Sequence, residues 1–525
     1  MTTPTAGPVP HHFRQTTLAA LAAAAIAAAS CRQSQTATAT DAGNVSDLLD
    51  PAFAFRCSPQ RAIGCRNVFG PRLRAGVDGG PTGALAALQT DGEAALAFRL
   101  QSLQAARRSI RIQALIFSGD ETGLAVAKLL KQKRQQGLDV RVIVDAASNL
   151  DLHAQWMYFD LKQHGIAVEG YEALYLQWVA AEVAPTDPLR GNKRFHDKMW
   201  VVDAEEPAAA LAIVGGRNVA NEYFRVDRTP LNRWRDQDMV LRGPIVQDVT
   251  AAFDTDFEWC KEQKSKLPAA FNPDNSWRLT RALLDQVGQV KVPTWSRPEL
   301  AAAVDALASR PLAPAYASID ARFVQSRPRF DESYIWQSYR WLFAQARSEL
   351  LIANAYFVPS REMIEDLKNA ARRGVRVVVL TNSPATNDIS AVAAVSRYLF
   401  ADLLAVNDEE AVRAQAGKGA GVAIHEWQGA PFDEGTLHAK FALADQSVAI
   451  VGSYNLDPRS ERLNSETVLV WRDRTLAAQL ARAFLDDDLA KSKRVTVDEA
   501  TSYRKPGDLP KLFDLAFALP VKGWL

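Results

Sequence analysis

Cysteine is scarce in this chain, with four in 525 residues, so no disulfide framework and no cysteine-rich metal centre can organise it. Histidine is nearly as rare, with seven, and neither an HExxH element nor a Cys/His spacing of the zinc-site kind is present. No metal and no cofactor are therefore expected. An excess of either charge is also missing. The 61 basic and 60 acidic residues leave a net charge of +1, and basic runs interleaved with aromatics are absent; Arg372-Arg373 is typical of the short clusters found. A nucleic-acid partner is not expected on that balance. The apolar run near the N-terminus, Leu18 to Ala29, is 12 residues long and too short to cross a bilayer comfortably. What remains is ordinary globular composition, 48% hydrophobic and 23% charged, long enough for roughly two to four domains.

The N-terminal region reads as an export signal. His11, His12 and Arg14 precede the apolar run, and Ser30 and Cys31 follow it. Ala28-Ala29-Ser30-Cys31 resembles a bacterial lipoprotein processing site, with Ala28 where leucine is usual. Residues 1–30 are then a signal peptide, Cys31 the lipidated first residue, and residues 31–81 a tether. The expected location is the periplasmic side of a bacterial cell envelope, as a membrane-anchored lipoprotein, the alternative being a soluble secreted or periplasmic protein. Cys57 and Cys65 close a short polar loop holding Pro59 and Gly64, and are expected to pair in an oxidising compartment. Cys260, among Phe253, Phe257 and Trp259, reads as a buried thiol.

The chain repeats itself over a long period. Ala105-Ala106-Arg107-Arg108-Ser109 leads into the strand-like run Ile110 to Ile116, a helical stretch from Gly123 to Gln136, and a second strand-like run after Gly137. Ala344-Gln345-Ala346-Arg347-Ser348 leads into Leu350 to Tyr356, a helical stretch from Glu362 to Arg373, and a second run after Gly374. Gly137 and Gly374 stand where a helix C-terminus favours glycine. They lie 237 residues apart, as do Asn218 and Asn455. Val/Ile-rich strands alternating with helices predict an α/β fold with a mainly parallel sheet covered on both faces. Two similar halves are fused, spanning 82–300 and 301–525, with a proline-rich junction within Gln286 to Pro328.

Each half carries the same polar signature. His196-Asp197-Lys198 runs on to Asp203 and then to Gly215-Gly216-Arg217-Asn218; His438-Ala439-Lys440 runs on to Asp445 and then to Gly452-Ser453-Tyr454-Asn455. Histidine and lysine two apart on a strand share a face, and an asparagine after a glycine turn reaches the same strand end. Two halves facing each other would gather two imidazoles, two ammonium groups and two amides in one pocket. Lysines and asparagines suit phosphate oxygens, and two imidazoles suit a nucleophile and a general acid. Packing gives no reason to repeat all three polar residues, whereas a shared site does. The motifs are too alike for the residues themselves to say which histidine attacks. His153, His164 and His425 lack this context and read as structural or exposed.

These paired motifs resemble the phospholipase D superfamily over about residues 82 to 490, most closely the bacterial cardiolipin synthases. Gly215 to Asn218 with Glu222-Tyr223-Phe224, Gly452 to Ser460, Tyr356-Phe357-Val358-Pro359 and Thr381 to Asp388 carry the likeness. The resemblance implies two phospholipase D–like αβα domains sharing one active site at their interface. It makes His196 the nucleophile and His438 the acid, with Lys198, Lys440, Asn218 and Asn455 on the phosphate. It also implies a downstream carboxylate orienting each histidine, Glu466 in the second half and Asp238 in the first, and it makes Asp203 and Asp445 structural. The small departures are Gly216 against Ser453 and extra residues around Glu205-Glu206-Pro207.

The implied reaction is transfer of a phosphatidyl group through phosphohistidine, on a phospholipid substrate and without metal. The same residues would serve hydrolysis to phosphatidic acid, and a nuclease on this scaffold is a more distant alternative. The apolar C-terminal stretch Leu512 to Leu525, with Lys511 and Lys522, could rest on a membrane surface or pack as a last core element.

Overall fold

A computed structural model describes residues 82–171, 193–266 and 295–504, apart from Ala147, Ala313 and Asp331. The signal peptide, Cys31, Cys57, Cys65 and the stretch from Leu512 to Leu525 lie outside the described residues.

The first half contributes β1 (Thr82–Gln89), β2 (Ser109–Ala114), β3 (Asp139–Asp145), β4 (Ala167–Tyr171), β5 (Met199–Val202), β6 (Leu211–Gly215) and β7 (Asp238–Arg242). The second contributes β8 (Ala317–Ser326), β9 (Glu349–Asn354), β10 (Arg376–Asn382), β11 (Gly421–Trp427), β12 (Lys440–Ala444), β13 (Val448–Gly452), β14 (Glu466–Arg472) and β15 (Ser492–Arg494). All join one 15-stranded sheet. Outward from its centre the first half runs β1-β7-β6-β5-β2-β3-β4, and the second repeats that order as β8-β14-β13-β12-β9-β10-β11, with β15 added at the edge. The halves meet where β1 and β8 pair antiparallel, Thr82 opposite Ala321 and Ala86 opposite Ala317.

The sheet is mixed, which corrects the expectation of a mainly parallel one. Parallel pairing is confined to β2-β3-β4 and β9-β10-β11. Helical crossovers connect those strands, Glu121–Gln135 between β2 and β3 and Arg361–Arg372 between β9 and β10. The motif strands β5-β6-β7 and β12-β13-β14 pair antiparallel, and the connections within β5-β6 and β12-β13 are too short for a crossover. Both crossover helices start on a side-chain cap, Asp120 and Ser360, and end at Gly137 and Gly374 with φ of 91° and 97°.

Both faces of the sheet are buried, and alternation along β5 shows how. Met199 and Val201 join a core that runs on through Phe253 and Phe257 into the second half, whereas Trp200 and Val202 join a separate core with Leu96, Leu100 and Leu130. The larger core therefore crosses the seam. Cys260 is a buried thiol within it. The helix Pro298–Leu307 packs on the first-half helices Gly92–Ala105 and Glu121–Gln135, so the second half begins at β8, beyond residue 300.

Candidate active site

The motif aspartates hold the strands in place and stand apart from the pocket. Asp203 and Asp445 have φ of 53° and 50°, and each carboxylate accepts three successive backbone N–H groups, from Arg107, Arg108 and Ser109 and from Arg347, Ser348 and Glu349. That explains why the segment ahead of β2 is echoed ahead of β9. The longer β5–β6 turn folds back onto β2, with Glu205 on Arg111 at 3.0 Å and Glu206 on Arg108 at 2.7 Å.

At the opposite end of these strands the halves exchange short bridges. Phe195 lies beside Ser465, and Arg235 beside Leu437. His196 N–H donates to the Ser465 carbonyl at 2.9 Å, and His438 N–H to that of Arg235 at 2.7 Å. His196 is thus tied to the stretch leading into β14, and His438 to the stretch leading into β7. Asp145 and Asn382, at the ends of β3 and β10, accept the backbone N–H groups of Phe195 and Leu437 at 3.4 and 2.9 Å.

The carboxylates follow the same crossing. His196 Nδ1 lies 2.8 Å from Glu466 Oε2, and His438 Nδ1 lies 2.6 Å from Asp236 Oδ2. The orienting residue for His438 is therefore Asp236, and Asp238 is corrected to another role. Asp238 takes Arg99 at 2.8 Å and Arg217 at 2.9 Å, all three buried. Strand register explains the correction. Gly215 pairs with Asp238 and Gly452 with Val468, so the partner of Glu466 by position is Asp236.

The remaining expected residues converge here. Lys198 Nζ donates to the His196 carbonyl at 2.6 Å, and Lys440 makes the same bond to His438. Asn218 accepts from Ile116 N–H at 3.2 Å and donates to the Tyr223 hydroxyl at 2.8 Å. Asn455 is 2% exposed, and its side-chain oxygen has no hydrogen-bond partner. His153 and His164 lie exposed on the surface and His425 bonds Ser492, all apart from the pocket.

Residues 100–259 and 339–488 each match a family model described as cardiolipin synthase, PLD-like domain. The chain belongs to this family. Among curated relatives of this PLD-like chain, cardiolipin synthase A of Pseudomonas aeruginosa is 29% identical over 418 residues, covering 80% of this chain and 69% of the relative. Cardiolipin synthase 1 of Bacillus anthracis is 25% identical over 403 residues, covering 76% and 65%. Among solved structures, phosphatidylserine synthase of Haemophilus influenzae shares the fold with a TM-score of 0.58 and 15% identity, over 84% of this chain and 95% of that one.

Burial sets the charge states of the PLD-like site. It pushes His438 down to about 3 and His196 well below its usual value, helped in both by the neighbouring lysines. Both rings are then neutral, each giving its Nδ1 hydrogen to a carboxylate and keeping a lone pair on Nε2. Burial also brings Lys198 down to about 7 and Lys440 to about 8, each ammonium desolvated where an anion would restore it. Glu466 is pushed up to about 7 by burial, against Lys198 and the hydroxyls of Ser453 and Ser460. Burial acts on Asp236 too, but His438, Lys440 and Arg217 hold it below the usual carboxylate range. Among the described residues no group of three or more histidine, cysteine or acidic side chains is placed to hold a metal ion.

Sequence reasoning missed Asp236, although Asp236-Gln237-Asp238 offered both carboxylates. It also missed the surroundings of the imidazoles. Tyr223 stands edge-on to His438 at 5.0 Å and Trp234 lies over it at 5.4 Å. The signal was a failed repeat, since Tyr223 and Trp234 take the places of Ser460 and Asn464 in the other half.

Proposed function

We propose that the chain is a phosphatidyltransferase of the cardiolipin synthase kind, working through a phosphohistidine on phospholipid at a membrane surface. The crossed pairing of His196 with Glu466 and His438 with Asp236, two buried lysines alongside, carries this reading. His438 takes up a proton on Nε2 as the anionic phosphodiester binds beside the lysines; His196 Nε2 then attacks phosphorus while His438 passes that proton to the departing alcohol oxygen, whose bond to phosphorus breaks. The acceptor hydroxyl then gives its proton to His438, its oxygen bonds to phosphorus, and the bond from phosphorus to His196 breaks. Lys198, Lys440, Asn218 and Asn455 carry the charge on the phosphoryl oxygens. Asp236, held ionised, suits the histidine that must become a cation, which favours His438 as the acid.

The lipid substrate is supported by the curated relatives and by Leu231 and Ile389. These side chains, 73% and 42% exposed, stand beside Trp234 and Asp388 at the His438 side of the pocket. No helix among the described residues is long and apolar enough to cross a membrane. The proposed attachment is instead the lipoprotein anchor at Cys31, after removal of residues 1–30, holding the enzyme on the periplasmic side of the envelope through the 31–81 tether. Mass spectrometry of protein from native membranes should find acylated Cys31 at the N-terminus and Cys57 joined to Cys65. The activity test is purified protein on vesicles of phosphatidylglycerol and phosphatidylethanolamine. Cardiolipin is the expected product. Phosphatidic acid alone would make the protein a hydrolase, and inertness toward lipid with cleavage of nucleic acid would make it a nuclease.

A further inference from the structure

The pocket is built from a repeat, but its two ends differ. Around Glu466, the partner of His196, stand Ser453, Ser460 and Asn464, which donate to its oxygens at 2.5, 2.7 and 3.4 Å. Around His438 the matching positions hold Gly216, Tyr223 and Trp234. A further difference lies at the ends of β2 and β9. Where the first half has Ile116, the second has Tyr356, whose hydroxyl lies 2.8 Å from both carboxylate oxygens of Asp388. Lys440 Nζ is 6.0 Å from the centre of the Tyr356 ring, which places this pair beside the catalytic lysine. Asp388 is solvent-exposed, and Tyr356 and Trp234 are half-buried, so this end of the pocket is open.

A phosphoryl group held by both lysines and attached to His196 must exchange its alcohol on the side of His438. That side is walled by Tyr223 and Trp234 and has a carboxylate at its rim. We propose that Asp388, aligned by Tyr356, is the specificity-determining residue for the acceptor alcohol and binds a neutral vicinal diol of the glycerol kind. This rests on the phosphatidyltransferase reading. A carboxylate has two oxygens that can accept from adjacent hydroxyls, which leaves the terminal hydroxyl to approach His438. The aromatic walls cover the carbon side of a polyol. An ammonium-bearing alcohol fits less well, because Lys440 already lies against the Tyr356 ring and Lys198 is close by. In the transfer step the diol oxygen bonds to phosphorus, its proton passes to His438 Nε2, and the bond from phosphorus to His196 breaks.

The experiment measures the ratio of transfer to hydrolysis in phosphatidylethanolamine vesicles, with isotopically labelled glycerol or ethanolamine titrated in as the soluble acceptor and label in the lipid product scored as transfer. For Asp388→Asn the glycerol concentration that gives half-maximal transfer should rise about tenfold, the cost of one charge-assisted hydrogen bond. For Tyr356→Phe, which keeps the ring and removes the hydroxyl from the carboxylate, it should rise about threefold. The partition for ethanolamine should move less in both. Unchanged glycerol partition in both variants overturns the proposal. So does a shift that is larger for ethanolamine, which would make this an ammonium site. If Asp388→Asn fails to fold, Tyr356→Phe decides alone. Wild-type protein that releases only phosphatidic acid at every glycerol concentration overturns the transferase reading itself, a different result from a transferase whose partition ignores Asp388.

Discussion

In the proposed mechanism the two half-sites perform opposite tasks with the same side chains, and their surroundings differ to match. His196 leans on a carboxyl that burial pushes up to about 7 and that three side-chain donors surround. His438 leans on a carboxylate held ionised by His438, Lys440 and Arg217, with aromatic rings on its flank. A carboxyl already rich in donors draws less on its imidazole, which keeps the lone pair of His196 for phosphorus. An ionised carboxylate with few competitors stabilises the imidazolium that His438 must become. Repetition supplied both parts of the chemistry, and the neighbours divided the labour.

That division can be broken most severely at the imidazoles. His196→Ala and His438→Ala should each lower turnover by about 10⁴-fold or more, with unfolding transitions near wild type. A folded variant with near-normal activity would mean that the halves do not share one site. Alkaline denaturation after exposure to a labelled phosphodiester whose leaving group needs no proton should leave a phosphatidyl group on the chain in His438→Ala and none in His196→Ala.

Asp236 and Asp238 separate catalysis from support. Asp236→Asn should cost on the order of 10³-fold in rate, because the amide no longer fixes the tautomer of His438. Asp238→Asn should cost about 3 kcal/mol in stability by leaving Arg99 and Arg217 buried with a weaker partner. Urea denaturation and steady-state rates on both variants check this, and a larger rate loss in Asp238→Asn would restore the reading from sequence alone.

Exchanging neighbours tests the comparison directly. Gly216→Ser would place a Cβ 2.1 Å from Asp236 Oδ1, so copying the second half into the first should displace that carboxylate and lower the rate about 100-fold. Activity close to wild type would show that Asp236 has room to spare.

The lysines give the next effect. In the free enzyme Lys198 and Lys440 lose their protons around 7 and 8, so affinity for an anion is highest below that range and falls as pH rises through it. Vanadate inhibition should weaken roughly tenfold between about pH 6 and pH 9. Affinity that rises with pH would contradict the burial of both ammonium groups. The smallest effect belongs to Ser460→Ala, which removes one donor from Glu466 and should alter the rate a few-fold and stability by about 1 kcal/mol; a loss as deep as that of Asp236→Asn would show that the first histidine depends on its surroundings as much as the second.

Much of this is legible in the amino-acid sequence. The paired histidines and lysines, the asparagines after their glycine turns and the aspartates that close the motifs are local patterns, and strand alternation and turn chemistry fix where such residues point. Other features depend on partners distant in sequence. Nothing in Asn464-Ser465-Glu466 says that Glu466 reaches His196 of the other half, since an alignment of repeats gives equivalence and not contact. Asp236 and Asp238 share a strand face, so periodicity could not choose between them; Arg99, far upstream, takes one of them away. The antiparallel centre was hidden for a related reason. The helical crossovers announce parallel strands through their length and periodicity, while the motif strands that follow are short and buried on both faces.

The seam where β1 meets β8 has a consequence for how the chain is made. On the ribosome the first half is complete long before β8 exists, and until then β1 is an open sheet edge and His196 has no carboxylate. The imidazole proposed to attack phosphorus therefore emerges without its carboxylate and gains it only when β14 is made and closes over it. Fusion of the repeats makes that closure intramolecular, at an effective concentration no separate subunit would reach, so the partner each half meets first is the other half and not a copy of itself.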